Sequence, residues 1–524
     1  MNPDKKQVSS DVDASLQKVA FGTSIILIGS LISLVFSFLS RILIARIWTE
    51  LELGIFALSY SILSICVAIS TLGLKQGVVR NIAYSLAKKD YKKIFSFISS
   101  SIYFSLITSV IVAAVVFFIA EPLAINVFHE PGLVLPLRIF SLAIPFFALI
   151  EIIVSIFRGF DDIKPFVYFE YFLLGILFPV FIVLIYILDQ SFENVFVAGT
   201  GTFVITFILL AAYSTSKISS KKVLKYKRIT SPAAKELLFF SLPLLGTAML
   251  QMIIIWTDTL MVGGILSASY AGLYSVSHNI SQLISFPLGA LLIMYIPVLS
   301  GLYAKKRFDE IKINYSIVTK WLCSITMPLF IFLFLFPEST IGFLYGSNYV
   351  FAADALRILS LGFIINNFAG PCGATLVSMG KSKFIMYATL STAVLNIILN
   401  FILIPIFGIV GAAIASASSL FIINIAKLLK LYSLSGVQPV SKNLLKPTLI
   451  TVLLILIPFW LFQKTTTVRW DILAILFASF YLIYLLVFLV SRSLDKEDLN
   501  LLNMIQTKPG GNIQKIKGFL SRFV

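Results

Sequence analysis

Apolar stretches of about 20 residues recur from Thr23 almost to the end of this chain. Each is long enough to cross the ~30 Å hydrocarbon core of a bilayer as a helix. A backbone in lipid must satisfy its own hydrogen bonds, which leaves packed helices or a closed barrel. Runs of this length select helices. Of 524 residues, 59% are hydrophobic and 12% charged, against about 25% charged in ordinary soluble domains. The mean hydropathy is +0.98. The chain is therefore read as an all-α polytopic membrane protein. Its polar start, "MNPDKKQVSSDVDASLQK", precedes a full-length apolar run with no small-residue cleavage site, so no cleavable signal peptide is expected.

Hydropathy, breakers and charge place fourteen spans: 20–48, 54–74, 94–119, 136–158, 166–188, 193–213, 236–259, 270–299, 313–336, 353–379, 383–404, 409–430, 445–463 and 471–491. With the N-terminus in the cytoplasm, only six of the 41 Lys and Arg face outward: Arg41, Arg46, Arg138, Arg357, Lys464 and Arg469. The positive-inside rule then puts both termini in the cytoplasm of a cell-membrane protein. The same asymmetry accounts for the net charge of +17: the basic loops face anionic lipid, and no nucleic-acid partner is needed. Three scattered cysteines, Cys66, Cys323 and Cys372, suit neither a disulfide framework nor a metal site.

The chain repeats itself. "ELGIFALSYSI" (52–62) resembles "YAGLYSVSHNI" (270–280), "SLAKKDYKKI" (85–94) resembles "LYAKKRFDEI" (302–311), and "LRIFSLAI" (137–144) resembles "LRILSLGF" (356–363). The separation is about 218 residues each time, in the same order. Two six-helix lobes of one topology are implied, residues 20–213 and 236–432, related by a pseudo-twofold axis along the membrane normal. A cytoplasmic tail (1–19), a basic linker (214–235), two extra helices (445–491) and a basic amphipathic tail (492–524) complete the plan.

Polar groups at membrane depth are the candidates for function, since each ionisable one costs a few kcal/mol unless paired or hydrated. Ser30, Ser33, Ser37 and Arg41 share one face of the first helix. That stripe lines a water-filled cavity or packs against a neighbouring helix; the terminal charge favours the cavity. Arg46, beside Trp48, reads as an interface anchor. In the repeat, Arg41 falls opposite Thr259, next to Asp258, so an ion pair or gate is one reading and a helix end near headgroups the other. Glu151, two turns from Arg158, is the candidate carboxylate for proton or sodium coupling, with a structural hydrogen bond as rival. Glu170 and Arg80 are weaker cavity candidates, and Arg158 suffices as a topology anchor. His278 and Asn279, and the pair Asn396 and Asn400, either face the cavity or bond between helices. Pro145, Pro179, Pro243, Pro287 and Pro328 offer places to bend.

Enzyme chemistry finds no footing. "MGKS" (379–382) lacks the upstream glycine of a phosphate loop, Thr375 standing there. His129 has no Cys or His near it in sequence. The acidic pair of "FDDIK" (160–164) is of the kind glycosyltransferases use to bind metal, but it lies in a short turn with no hydrophilic domain around it. No cofactor is expected.

Several segments resemble the polysaccharide flippases of the multidrug/oligosaccharidyl-lipid/polysaccharide transporter superfamily: "ARIWTELELGIFALS" (45–59), "TLGLKQGVVRNIAYSLAKKD" (71–90), "SIFRGFDDIKPF" (155–166), "FSLPLLGTAMLQMIIIWTDTLMVG" (240–263), "AGLYSVSHNI" (271–280) and "NFILIPIFGIVGAAIASASS" (400–419). The family commonly has Leu-Gly-Pro where this chain has "WTE" (48–50). The resemblance implies a fold like that of the multidrug-and-toxin exporters, with two six-helix lobes, a central cavity and two additional helices. It implies alternating access for a polyprenyl-phosphate- or diphosphate-linked oligosaccharide made on the cytoplasmic face, with membrane lipids and glycan polymerases or transferases as partners. In related cell-wall precursor flippases, arginines on the first helices bind the diphosphate. Arg41 matches that role by its helix, and Arg80 more loosely. Ser37, Asn279 and His278 complete the expected headgroup site, with Glu151, Asp258 and Glu170 as coupling or gating groups. The rivals are a proton- or sodium-coupled drug exporter of the same superfamily and, from another class, a membrane glycosyltransferase or ligase.

Overall fold

Only two residues separate the first helix, α1 (Pro3–Ile47), from α2 (Glu50–Ser70), and a capping box explains so tight a joint. Thr49 Oγ1 accepts from the Glu52 amide at 3.3 Å, while Glu52 Oε2 accepts from the Thr49 amide at 2.8 Å. Two amides that the helix cannot satisfy are thus capped reciprocally. The acidic "TELEL" after Trp48 is therefore a helix start, and the second span begins four residues before its expected position. These elements belong to a computed structural model, which describes residues 3–219, 231–436, 446–454, 470–491 and 493.

The second span also runs further than expected. After α2 the chain takes positive φ at Leu72 (49°) and Gly73 (69°), then resumes as α3 (Leu74–Ala87). A Cβ on Gly73 would stand 2.4 Å from the carbonyl oxygen of Ser241, and one on Gly77 would stand 2.1 Å from Ser241 Oγ. Gly73 and Gly77, four apart, let two helices approach to backbone distance.

The chain divides into two compact units, Met1–Ser275 and Val276–Val524. In the first, α4 (Tyr91–Pro122), α5 (Val134–Gly159), a π-helical stretch (Phe166–Leu173), α6 (Leu174–Ile187), α7 (Asn194–Ser219) and α8 (Ser231–Ile265) follow α3. Helix α5 is central: α2, α3, α4 and α7 all pack on it, while α1 lies along α6 and the π stretch. The boundary between units falls inside α9 (Ala268–Ala304), whose first turns belong to the first unit. There Gly54 of α2 meets Gly272 of α9: a Cβ on Gly272 would lie 2.9 Å from the Gly54 amide nitrogen. These two glycines are the aligned pair of the internal repeat.

The second unit holds most of α9, then α10 (Phe308–Leu335), α11 (Pro337–Leu344), α12 (Ala353–Ala369), α13 (Cys372–Ser378), α14 (Ser382–Phe407), α15 (Ile409–Ser435) and α16 (Trp470–Val490). Helix α12 packs on α10 and α15, and α14 on α15. Polar ties join these helices: Asn424 Nδ2 of α15 donates to Asn366 Oδ1 of α12 at 3.0 Å, and Asn367 Nδ2 of α12 donates to the Ile284 carbonyl of α9 at 2.7 Å. The tenth span breaks at Gly370 (φ 60°) and Pro371, between α12 and α13.

Twelve segments among the described residues are long and apolar enough to cross a membrane. Of the fourteen expected spans, the eighth corresponds to α9, whose first half carries Ser275, Ser277, His278, Asn279 and Ser281, and which is not among the twelve. The thirteenth lies largely outside the described residues. Helices run through all five singled-out prolines; the breaks fall at Leu72–Gly73 and Gly370–Pro371 instead.

Candidate functional site

Helix α1 brings Ser33, Ser37, Ser40 and Arg41 to one cavity of about 240 Å³ inside the first unit. Of the stripe read from the sequence, Ser33, Ser37 and Arg41 line it, whereas Ser30 is not among the lining residues and donates its Oγ to the Leu27 carbonyl at 2.9 Å; Ser40 adds a member that the spacing passed over. Ser40 Oγ is already committed to the Phe36 carbonyl at 2.9 Å. Opposite walls come from Phe56 and Tyr60 of α2, Phe140 and Phe147 of α5, Glu170 and Tyr171 of the π stretch, Phe178 of α6, and Thr202 and Phe203 of α7. Several rings brace one another: Phe147 stacks on Phe203 at 4.5 Å between centroids, and Phe56 on Phe178 at 5.8 Å. Such walls lower the local dielectric and strengthen whatever Arg41 holds. Its volume is below the ~300–1,000 Å³ of drug-sized pockets and has room for a small polar group.

A charged cluster adjoins the cavity. Lys75 Nζ lies 2.5 Å from Glu151 Oε1, the side chains 28% and 15% exposed. Lys75 occupies the first turn of α3, immediately beyond the break in the second span. Its ammonium therefore enters the bundle, although the sequence reading ended the span at residue 74. The signal was available: "LKQGVVRNIAYSLA" keeps a helical period past Gly73. Glu170, in the π stretch, is within electrostatic reach of Lys75, Glu151 and Arg158. Its Oε2 is buried with no hydrogen-bond partner among the described residues. A π stretch inside a helix re-aims side chains and recurs at functional positions. Arg158 stacks its guanidinium 5.1 Å over Phe166, and Tyr60 feels both Arg41 and Glu151.

Other expected residues lie elsewhere. Arg80 is on the exposed face of α3, 4.3 Å over the Phe240 ring. Asp258 is buried in α8 and accepts from Tyr274 Oη at 2.6 Å. His278 and Asn279 belong to the second unit, where His278 Nε2 lies 2.7 Å from Gln282 Nε2. Asn396 Nδ2 reaches Ser416 Oγ at 3.3 Å, bonding α14 to α15, and Asn400 Nδ2 reaches Asn396 Oδ1 at 3.2 Å. Arg46 is exposed at the end of α1. The three cysteines are buried, and no group of three His, Cys, Asp or Glu among the described residues could hold a metal ion.

A family model described as "Polysaccharide biosynthesis protein" matches residues 42–354, more than half of the chain and the whole of the cavity's α2-to-α7 wall. The chain belongs to this family. It is 30% identical over 171 residues to the "Probable low-salt glycan biosynthesis flippase Agl15" of Haloferax volcanii, covering 32% of this chain and 36% of that relative. Two solved structures share the fold. An inward-facing multidrug resistance MATE family transporter of the MOP superfamily has a TM-score of 0.66 at 15% identity, covering 77% of this chain and 94% of that one. The lipid II flippase MurJ, inward closed, has a TM-score of 0.64 at 17% identity, covering 88% and 98%. The result is a multi-pass membrane protein of a polysaccharide-biosynthesis family, with the fold that those two solved structures share.

Proposed function

We propose that this protein flips a polyprenyl-phosphate- or diphosphate-linked oligosaccharide from the cytoplasmic to the external leaflet by alternating access, for surface polysaccharide or glycoprotein assembly. One observation carries the reading: Arg41, with Ser33 and Ser37, lines a cavity walled mainly by aromatic rings, with Glu170 on the same wall and Lys75 within electrostatic reach of that carboxylate. A guanidinium fork matches phosphate oxygens in two parallel hydrogen bonds. The cavity size supports a division of labour in which the anionic headgroup enters and the glycan stays in wider aqueous space. The prenyl tail remains in lipid throughout. Sugar hydroxyls thus avoid hydrocarbon, where each unsatisfied one costs several kcal/mol. The family membership and the flippase relative support the cargo class.

The test is translocation of a fluorescent polyprenyl-diphosphate oligosaccharide in proteoliposomes. Arg41→Ala is expected to abolish protein-dependent movement with normal expression, and Arg41→Lys to retain part of it, keeping the charge without the fork. Full transport by Arg41→Ala would sink the headgroup assignment. Failure of the wild type on several glycans, beside a working flippase control, would move the reading to drug export.

A further inference from the structure

We infer that Lys75 is a tethered counter-ion shared by Glu151 and Glu170, holding the place that a free sodium ion would otherwise take between them. This inference is independent of the cargo.

Two carboxylates from different elements, Glu151 on α5 and Glu170 on the π stretch, lie within electrostatic reach of each other in a span-lined interior. Left alone, such a pair repels, and at this depth each charge is costly. A bound cation or a fixed ammonium relieves both. The structure supplies the ammonium: Lys75 contacts Glu151 at 2.5 Å and also feels Glu170. Yet Lys75 satisfies only one of the two in this conformation. The buried Oε2 of Glu170 keeps no hydrogen-bond partner among the described residues, the arrangement expected of an acceptor whose donor is engaged elsewhere.

The backbone permits exchange. Lys75 stands two residues after Gly73, where the second span is interrupted, on a long flexible stem with three rotatable donors. Glu170 sits where the fifth span is π-helical. The nearby charged or titratable groups are Arg41, Tyr60, Arg158 and Tyr171. Arg158 is turned onto Phe166, and Arg41 lines the adjoining cavity with Glu170; Lys75 is the cation in contact with one carboxylate and within electrostatic reach of the other.

Removing the tether while keeping both carboxylates is expected to convert the cluster into a sodium site. The experiment is thermal unfolding of purified Lys75→Gln in detergent at fixed pH 8, titrated with sodium chloride against choline chloride. The wild type is expected to show equal melting temperatures in the two salts. Lys75→Gln is expected to gain a saturable, sodium-specific rise of several degrees, and Lys75→Gln/Glu170→Gln to lose it. Lys75→Arg should behave as wild type and reports on folding if the Gln variant is poorly made. Saturable stabilisation of the wild type by sodium would overturn the inference. So would a folded Lys75→Gln that responds to sodium no more than wild type does. Flippase activity enters neither readout.

Discussion

A lysine with two glutamates in reach can lose either one and still be paired, and that redundancy has a measurable consequence. Breaking a buried ion pair leaves an uncompensated charge, at a cost of about 3–5 kcal/mol where burial is complete. Here Lys75 is 28% exposed, so water screens part of that. Glu151→Ala alone is expected to cost about 1 kcal/mol or less, because Lys75 turns to Glu170, and Glu170→Ala similarly little. The double variant is expected to cost about 2–4 kcal/mol, more than the two single effects combined. Unfolding of the four proteins in detergent checks this, and simple additivity would show that Glu170 is no reserve partner. Arg41 could be found by its spacing on α1 because a helical face is written in the sequence at i and i+4. Lys75 was not found in the same way. Its partner is 76 positions distant along the chain, and no local pattern records a contact of that kind.

At the scale of elements, spans are legible because hydrocarbon imposes a length, whereas breaks within them depend on what packs alongside. Proline marked five places, and helices pass through every one of them. Neighbouring helices or local adjustment accommodate the lost bond. Gly73 marks the break in the second span for a different reason: it combines φ +69° with the Ser241 carbonyl oxygen 2.4 Å from where a Cβ would be. Gly73→Ala is accordingly expected to destabilise by about 1–3 kcal/mol, from left-handed strain and the clash with α8. Gly380 shares the positive φ, at 75°, but nothing lies within 4 Å of its Cβ position, so Gly380→Ala carries strain without a clash and is expected to cost less. Thermal unfolding of the two variants separates them. Equal losses would mean that close packing against Ser241 contributes nothing.

Across the whole molecule, the repeat was visible in sequence because each half kept the same local strings, and the structure shows one thing that those strings preserve. Arg138 of "LRIF" pairs with Glu121 at 3.1 Å in the first unit. Arg357 of "LRIL" pairs with Glu338 at 2.6 Å in the second. Each joins the start of a repeat's fourth span to the residues that end its third. The copies have diverged in strength. Arg357 also holds Asp354 at 2.7 Å and the Phe334 carbonyl at 3.3 Å, while Arg138, among the described residues, has the Glu121 carboxylate and the Phe117 ring at 5.6 Å. A bridge between two exposed side chains is worth about 0–1 kcal/mol, but a guanidinium tied to several acceptors exceeds that. Arg357→Ala is therefore expected to lower the melting temperature more than Arg138→Ala, and Glu338→Gln to reproduce only part of the Arg357→Ala loss. The opposite order would mean that the wider network adds nothing beyond a single pair.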